Sequence, residues 1–338
     1  MRVFFFGLVI SFLILFIINL SWIISTIYFA AIYGLQFVLH HKNLLESVDT
    51  SIYVKWILSA DCIWIILALI FALTRKKYKT DLDLHYLQYD PLTNPSICII
   101  LPAHNEEASI EKIIQNYAAQ KNVKYIIVID DNSTDNTYNI AERCGARVIR
   151  KKENQGFAHT CFMGLREALK TDANIIATSE SDGTYNAYDL SKMLPYLDNS
   201  DMVIGTRQVQ ILTEKGNQNS IIHVWGNLLV AKLIQLKYFN LLHIGIINLT
   251  DVGCMHRLIK RKSLEKIINK LTHPDTDRPL AGDSIFLHLT MLAVENDIRI
   301  VEVPVTFNRR IGVSKLESNK KLKGIKFGLK FLWFVLIS

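Results

Sequence analysis

Two kinds of hydrophobic run divide this chain. Between residues 3 and 39 no Asp, Glu, Lys, Arg or His interrupts the apolar series. A bilayer-spanning helix needs about 20 apolar residues, and one straight helix over this stretch would measure about 55 Å against a hydrocarbon core of about 30 Å. The run therefore predicts either two short spans turning near residues 19–21 or one span with a long interfacial extension. A cleaved signal peptide fits less well, because its apolar core is only about 7–15 residues. A second run, residues 56–74, carries one charge, Asp61, and is followed at once by Arg75, Lys76, Lys77 and Lys79. Basic flanks stay on the cytoplasmic side, so the chain beyond residue 75 is expected in the cytoplasm. Asp61 lies within two turns of the outer end of its run, where a snorkelling or hairpin-facing carboxylate is the expected reading.

After a polar linker, residues 80–94, the pattern changes to short buried runs alternating with helical spacing. Ile97-Cys-Ile-Ile-Leu101 is an apolar strand stopped by Pro102, and residues 109–120 have helical spacing. Tyr125-Ile-Ile-Val-Ile129 is the next strand, and residues 134–144 form a helix opened by Ser133 or Thr134 and closed by Gly145. Strands over 146–149, 175–179 and 202–205 follow, with a helix over 157–171 between the first two. Strands alternating with helices of this length predict a mostly parallel sheet covered by helices, whose ligands sit beyond the carboxyl ends of the strands. Residues 219–247 read as a helix that either closes the core or faces a membrane beside the site. Residues 316–338 carry five lysines before Phe331-Leu-Trp-Phe-Val-Leu-Ile337, too short to span a bilayer and suited to its interface plane.

Composition narrows the class. Half of the 338 residues are hydrophobic and 20% are charged, which excludes a disordered chain. The net charge of +7 would suit nucleic acid, but the lysines flank apolar segments, so a membrane surface explains them and no nucleic-acid partner is expected. None of the five cysteines is paired as C-x-x-C or set at zinc spacing, so they read as small buried hydrophobes in a reducing compartment.

The residues that follow the strands are unusually polar. They are Pro102-Ala-His-Asn-Glu106, Asp130-Asp-Asn-Ser-Thr-Asp135, Asn154-Gln-Gly-Phe-Ala158, Glu180-Ser-Asp-Gly-Thr184 and Gly205-Thr-Arg207. Each alone is a plausible turn; five on one sheet edge point to a site. The glycine-rich fingerprints of dinucleotide and P-loop sites are absent. Glu180 and Asp182, two apart, can both reach Mg²⁺ or Mn²⁺, which takes carboxylate oxygens together with substrate phosphate oxygens. Arg207, Arg257, Arg309, Arg310 and Lys315 can supply further positive charge, and Asp131 and Asp135 suit a ribose or base.

These motifs resemble the series found in family 2 glycosyltransferases of the GT-A fold. Trp225-Gly-Asn227, Thr250-Asp-Val-Gly-Cys254 with Arg257, Val301-Glu-Val-Pro304 and Arg310-Ile-Gly-Val-Ser-Lys315 are similar to the dolichyl-phosphate mannose synthase branch and its polyprenyl-phosphate relatives. The likeness covers residues 96–315. It implies a GT-A domain over 95–315, a GDP- or UDP-sugar donor, a divalent metal, inversion at the anomeric carbon and a polyprenyl phosphate acceptor. By the same resemblance Pro102, Asn105, Glu106 and Asp131 bind the nucleotide. Asp182 is the main metal ligand, with Glu180 in place of the first aspartate of D-x-D. Arg207, Arg310, Ser314 and Lys315 hold phosphates. Asp283, in Ala281-Gly-Asp-Ser284, lies where other members place a catalytic carboxylate; its other role is the N-cap of a helix over 283–295. Two departures stand out: Glu180 lengthens the usual Asp by one methylene, and Phe157 replaces the Lys that many branch members carry after N-x-G. The expectation is an integral membrane enzyme with its anchor over residues 1–79 and a cytoplasmic catalytic domain. Its alternatives are a sugar-hydroxyl acceptor and a non-catalytic nucleotide-sugar scaffold.

Overall fold

The structure is a computed structural model that describes residues 2–33, 52–74, 86–239, 248–273, 278–312 and 321–338. The chain falls into two compact units, one built on the N-terminal helices and the other comprising Lys77–Val335.

The first unit contains α1 (Arg2–Tyr33) and α2 (Ile52–Thr74). Both contain stretches long and apolar enough to cross a membrane, Val3–Ser25 and Lys55–Thr74. Within the described residues α1 runs without a break, so of the two alternatives the turn near residues 19–21 does not occur. Asn19 stays helical. Its amide donates to the Leu15 carbonyl at 2.9 Å and to both Asp61 oxygens at 3.3 Å. Trp64 Nε1 donates to the Leu8 carbonyl at 2.9 Å, and Phe5 stacks on Phe71 with centroids 5.5 Å apart. Asp61 is thus a hairpin-facing carboxylate. Residues 34–39, the end of the apolar run, lie outside the described residues.

The second unit is built on β1 (Ile97–Ala103), β2 (Val123–Asp130), β3 (Arg147–Arg150), β4 (Ile175–Thr178), β5 (Met202–Thr206), β6 (Arg257–Lys260) and β7 (Ile300–Pro304). They form one sheet in the order β3-β2-β1-β4-β6-β5-β7. All pairs are parallel except those of β6, which runs antiparallel to both β4 and β5. β1 is buried at every position because it is covered on both faces and flanked by β2 and β4. It continues through Pro102 to Ala103, two residues past the expected stop. Beyond Ile100 it pairs only with β2, so the missing proline N–H breaks no ladder bond on the β4 side.

Helices cover the sheet. α3 (Ile110–Ala118) buries Ile110, Ile113, Ile114 and Tyr117, the spacing of a single helix face. α4 (Thr137–Arg143) starts later than expected because Asp135, not Ser133 or Thr134, accepts the Thr137 N–H, at 3.0 Å. α5 (Phe157–Ala168) lies against β1 and β2 through Gly164, where a Cβ would stand 2.3 Å from Ile100 Cγ2 and 3.3 Å from Ile129 Cγ1. After the short α6 (Asp189–Met193) comes α7 (Ile221–Lys237), which buries Val230, Ala231 and Ile234 and exposes Ile221, Trp225, Leu229 and Leu236. α8 (Arg261–Ile267) follows β6, and α9 (Ile285–Glu295) is almost wholly buried. α10 (Lys321–Ile337) buries Phe331 and Val335 while exposing Lys326, Leu329, Lys330 and Trp333. Lys237 Nζ donates to the Val335 carbonyl at 2.7 Å, joining α7 to α10. Part of the expected linker is tied to the sheet unit: the Asp90 N–H reaches the Asp198 carbonyl at 2.7 Å and its carboxylate pairs with Lys260 at 3.2 Å.

Gly164→Ala should cost about 1–3 kcal/mol, the usual penalty of overpacking a tight helix–sheet contact. Urea unfolding of the sheet unit measures it; an unchanged midpoint would mean that α5 can retreat from β1 freely.

Candidate active site

A cavity of about 530 Å³ opens at the carboxyl edge of the sheet. Its lining gathers Pro102, Glu106, Asp131, Glu180, Asp182, Arg207 and Arg310, seven of the residues singled out by sequence. They come from the ends of β1, β2, β4 and β5 and from the loop after β7, which is why residues up to 208 apart in sequence share one space.

The charges in it are nearly but not completely answered. Asp131 is buried and pairs with Lys151 Nζ at 2.5 Å, while accepting the Gln155 and Gly156 N–H groups at 2.9 and 3.0 Å. Gly156 precedes α5 with φ +87°, a conformation glycine adopts readily. Arg310 straddles two carboxylates, Glu106 and Asp182, the latter at 2.5 Å. The other Asp182 oxygen accepts the Thr184 N–H at 3.0 Å and its hydroxyl at 2.6 Å. Arg207 forms a fork with the buried Asp251, Nε at 2.7 Å and Nη2 at 2.8 Å, over the Phe307 ring. Among the described residues Glu180 has no side-chain cation in ion-pair contact. Burial, then the adjacent Asp182 carboxylate, push it well above the usual carboxylate range.

That imbalance is the test of a metal site. Glu180 and Asp182 offer hard oxygen donors in a buried setting short of one positive charge, which suits Mg²⁺ or Mn²⁺ completed by substrate oxygens. No cluster of three or more potential metal ligands occurs among the described residues.

Other predicted residues fall elsewhere. Asn105 and Asp135 build the walls instead of lining the cavity. Asn105, at φ +52°, accepts the Thr134 N–H at 2.7 Å, and Asp135 also accepts the Glu107 N–H at 3.2 Å, so the two motif loops are stitched together. Arg257, expected to add positive charge at the site, does not line the cavity. It is fully buried, and its nitrogens donate to the carbonyls of Cys254 and Val252 and to Thr290 Oγ at 2.7–2.8 Å. Burial lowers its pKa to about 10, and its plane lies over Phe286. Ser314 and Lys315 lie outside the described residues, as does the Asp283 side chain. The Asp283 backbone sits in a 3-10 turn, Gly282–Ser284, and α9 starts at Ile285, so residue 284 and not 283 holds the N-cap position.

Sequence reasoning gave no role to His104, Lys151, Asp251 or Glu302. His104 lines the cavity with Nδ1 2.9 Å from the Asp131 carbonyl. Lys151 stands one residue beyond β3, the same strand-end rule that found the others. The lining also includes apolar side chains, Phe157, Val230, Phe286, Leu287 and Phe331. Phe157 and Phe286 approach with centroids 6.2 Å apart.

The sequence matches the family described as Glycosyl transferase family 2 over residues 98–268, half of the chain. The chain belongs to glycosyl transferase family 2. It is 27% identical over 229 residues to the polyprenol monophosphomannose synthase of Mycolicibacterium smegmatis, covering 65% of this chain and 81% of that protein. It is 24% identical to the undecaprenyl-phosphate mannosyltransferase of Micrococcus luteus, covering 65% and 87%. Among solved structures, glucosyl-3-phosphoglycerate synthase from Mycobacterium tuberculosis, in complex with Mn²⁺, UDP-glucose and phosphoglyceric acid, superposes with a TM-score of 0.51 at 19% identity, covering 74% of this chain and 88% of that one. This likeness supports the GT-A fold. This family 2 member is therefore a hexosyltransferase enzyme, with its strand-end motifs gathered at one cavity.

Glu180 carries a pH prediction. A carboxyl whose folded pKa is raised holds its proton where the unfolded chain, near the ordinary value of 4.5, gives it up, so stability falls as pH rises above that value. Without divalent ions, Glu180→Gln should melt higher than wild type at pH 8, and the gap should close towards pH 4. Equal melting temperatures at pH 8 would show that Glu180 ionises there without penalty.

Proposed function

We propose that this protein is a membrane-anchored, inverting glycosyltransferase that moves a hexose from a nucleoside-diphosphate sugar to a polyprenyl phosphate with the help of Mg²⁺ or Mn²⁺. The observation that supports the reading is the mixed lining of the one cavity, which brings carboxylates and arginines together with aromatic and aliphatic side chains. The names of the mycobacterial and micrococcal relatives support a polyprenyl acceptor. So does the archaeal relative from Methanococcus voltae, a UDP-N-acetylglucosamine–dolichyl-phosphate transferase that is 28% identical over 130 residues, covering 33% of this chain and 51% of that protein.

In this reading Pro102, Glu106 and Asp131 hold the nucleoside, Asp131 with its carboxylate already fixed by Lys151. Glu180 and Asp182 hold the metal, which when bound supplies positive charge to the departing diphosphate. Arg310 gives up its pairing with Asp182 and turns to phosphate. Arg207, with Nε and Nη2 committed to Asp251, has Nη1 left for a phosphate oxygen. A lipid phosphate is already ionised at neutral pH, so its oxygen attacks the anomeric carbon as the C–O bond to the diphosphate breaks, and no base has to remove a proton. The chain's contribution is positioning, charge compensation and a dry wall.

Exposed Trp225 and Leu229 on α7 and exposed Leu329, Trp333 and lysines on α10 support a membrane surface beside this cavity, with α1 and α2 as the anchor and the catalytic unit cytoplasmic. The boundaries read from sequence, an anchor over 1–79, a linker over 80–94 and an interfacial segment over 316–338, belong to the same proposal.

Turnover in reconstituted membranes with labelled UDP- and GDP-sugars tests the reaction, followed by identification of the labelled lipid. Asp182→Ala should abolish transfer, and Glu180→Asp should retain more activity than Glu180→Ala. Full activity of Asp182→Ala in chelator would remove the metal from the scheme. Asp283→Asn should cost little while Arg310→Ala costs a great deal; a 10²–10⁴-fold loss of kcat in Asp283→Asn, the usual share of a general base, would turn the acceptor into a hydroxyl.

Membrane binding has its own check. The full chain should resist carbonate extraction. A version lacking residues 1–79 should still bind vesicles containing anionic lipid, weakly and less so in high salt, and Trp225→Ala/Trp333→Ala should weaken that binding. Indifference to anionic lipid would leave the two exposed faces without this explanation.

A further inference from the structure

The cavity is lined by the carboxylates of Glu106, Asp131, Glu180 and Asp182, but one partly buried carboxylate nearby in the sheet, Glu302, is not part of the lining. Glu302 stands on β7 opposite Ile204 of β5, in the row beneath the strand ends. Its two oxygens take three donors from one loop: the Thr250 N–H and hydroxyl, both at 2.8 Å, and the Asp251 N–H at 2.9 Å. The Thr250 hydroxyl also meets Thr206 Oγ, at the end of β5, at 2.8 Å. The loop is thereby fastened to two neighbouring strands at once. Immediately after Thr206 comes Arg207, whose N–H, Nε and Nη2 all donate to Asp251. Gly253 completes the arrangement, since a Cβ there would lie 3.1 Å from Asn227 Oδ1 and 3.7 Å from Arg207 Nη2.

We infer that Glu302 is a positioning residue for the transfer reaction: by holding Thr250 and the Asp251 backbone, it sets the direction in which Asp251 presents the Arg207 guanidinium to the cavity. The inference rests on the reading of Arg207 as a phosphate-holding residue. The physical reason is one of degrees of freedom. An arginine side chain has several rotatable bonds and is of little use as a fixed charge unless its fork is pinned. Asp251 pins the fork, but Asp251 sits on a loop, and a loop aspartate transmits only as much rigidity as its own backbone has. Three hydrogen bonds accepted by a carboxylate on β7, the strand at the edge of the sheet, supply that rigidity. Replacing Glu302 by Gln turns one acceptor oxygen into a donor facing either the Thr250 or the Asp251 N–H, so the loop must shift while β7 keeps its place.

The test uses the full chain in detergent and two probes that differ only in the phosphate, farnesyl phosphate and farnesol. Arg207→Ala should weaken farnesyl phosphate binding about tenfold or more, the scale of one lost charge-assisted hydrogen bond, and leave farnesol unchanged. Glu302→Gln should weaken farnesyl phosphate about fivefold or more and also leave farnesol unchanged, whereas a general loss of structure would weaken both probes. The double variant Arg207→Ala/Glu302→Gln should bind no more weakly than Arg207→Ala alone, because the second change acts only through the first residue. Effects that multiply in the double variant, or a Glu302→Gln protein with wild-type phosphate binding, would overturn the inference. If Glu302→Gln does not fold, Thr250→Val removes one of the three donors at near-constant volume and carries the same expectations at smaller size. Failure of the underlying reading looks different: Arg207→Ala would then bind farnesyl phosphate as wild type does, or wild type would not distinguish the two probes.

Discussion

A buried carboxylate must be answered, by a cation, by several hydrogen bonds or by a proton, because its transfer out of water otherwise costs several kcal/mol. The carboxyl edge of this sheet is organised by that requirement. Asp130 is answered by Arg150 and Ser133, Asp131 by Lys151 and two backbone N–H groups, and Asp251 by Arg207. Glu302 is answered by one loop, and Glu106 and Asp182 share Arg310. Nearly every answer comes from a different segment from the question. The walls of the cavity are therefore crosslinked by charge, and Glu180 is the place where the series is left open.

The same arrangement separates residues that line the cavity from residues that hold those residues still. Arg207 and Asp131 face the cavity, each with an ionic partner behind it. Asn105 and Asp135 bind loop to loop. Arg257, similar in sequence setting to a phosphate ligand, is turned inward to three local oxygens and an aromatic face. A cation near the site is not thereby a cation for the substrate; what decides is whether its donors are already spent.

The first five strands and their polar ends were legible because each buried parallel strand is a short apolar run stopped by a polar turn. β6 was not, since Arg257-Leu-Ile-Lys260 begins and ends with a charge and is buried nonetheless. Its reversal relative to β4 and β5 has no local signature. The start of α4 was misjudged because Asp135, two residues before Thr137, accepts its N–H in place of Ser133 or Thr134, and Pro102 was taken as a stop when its missing N–H faces no partner. For the site, the residue types were readable and their partners were not: pairing of Arg207 with Asp251 or Arg310 with Glu106 joins segments that only the sheet order brings together. The continuity of α1 was likewise left open by the sequence, which cannot show that the polar Asn19 has Asp61 beside it.

The antiparallel β6 also orders events during folding. β1 to β4 can assemble from consecutive strand–helix units, and they carry Glu106, Asp131 and the two carboxylates of the open pair. β4, however, has its second edge covered only by β6, so Ile175 waits for Lys260 and Thr178 for Arg257. A strand edge buried in the finished sheet is exposed while that longer contact is made, and such edges invite wrong pairings. During synthesis the half with Glu106, Asp131, Glu180 and Asp182 is thus complete before the half with Arg207 and Arg310 exists, and the cavity closes last along a seam that β6 draws shut.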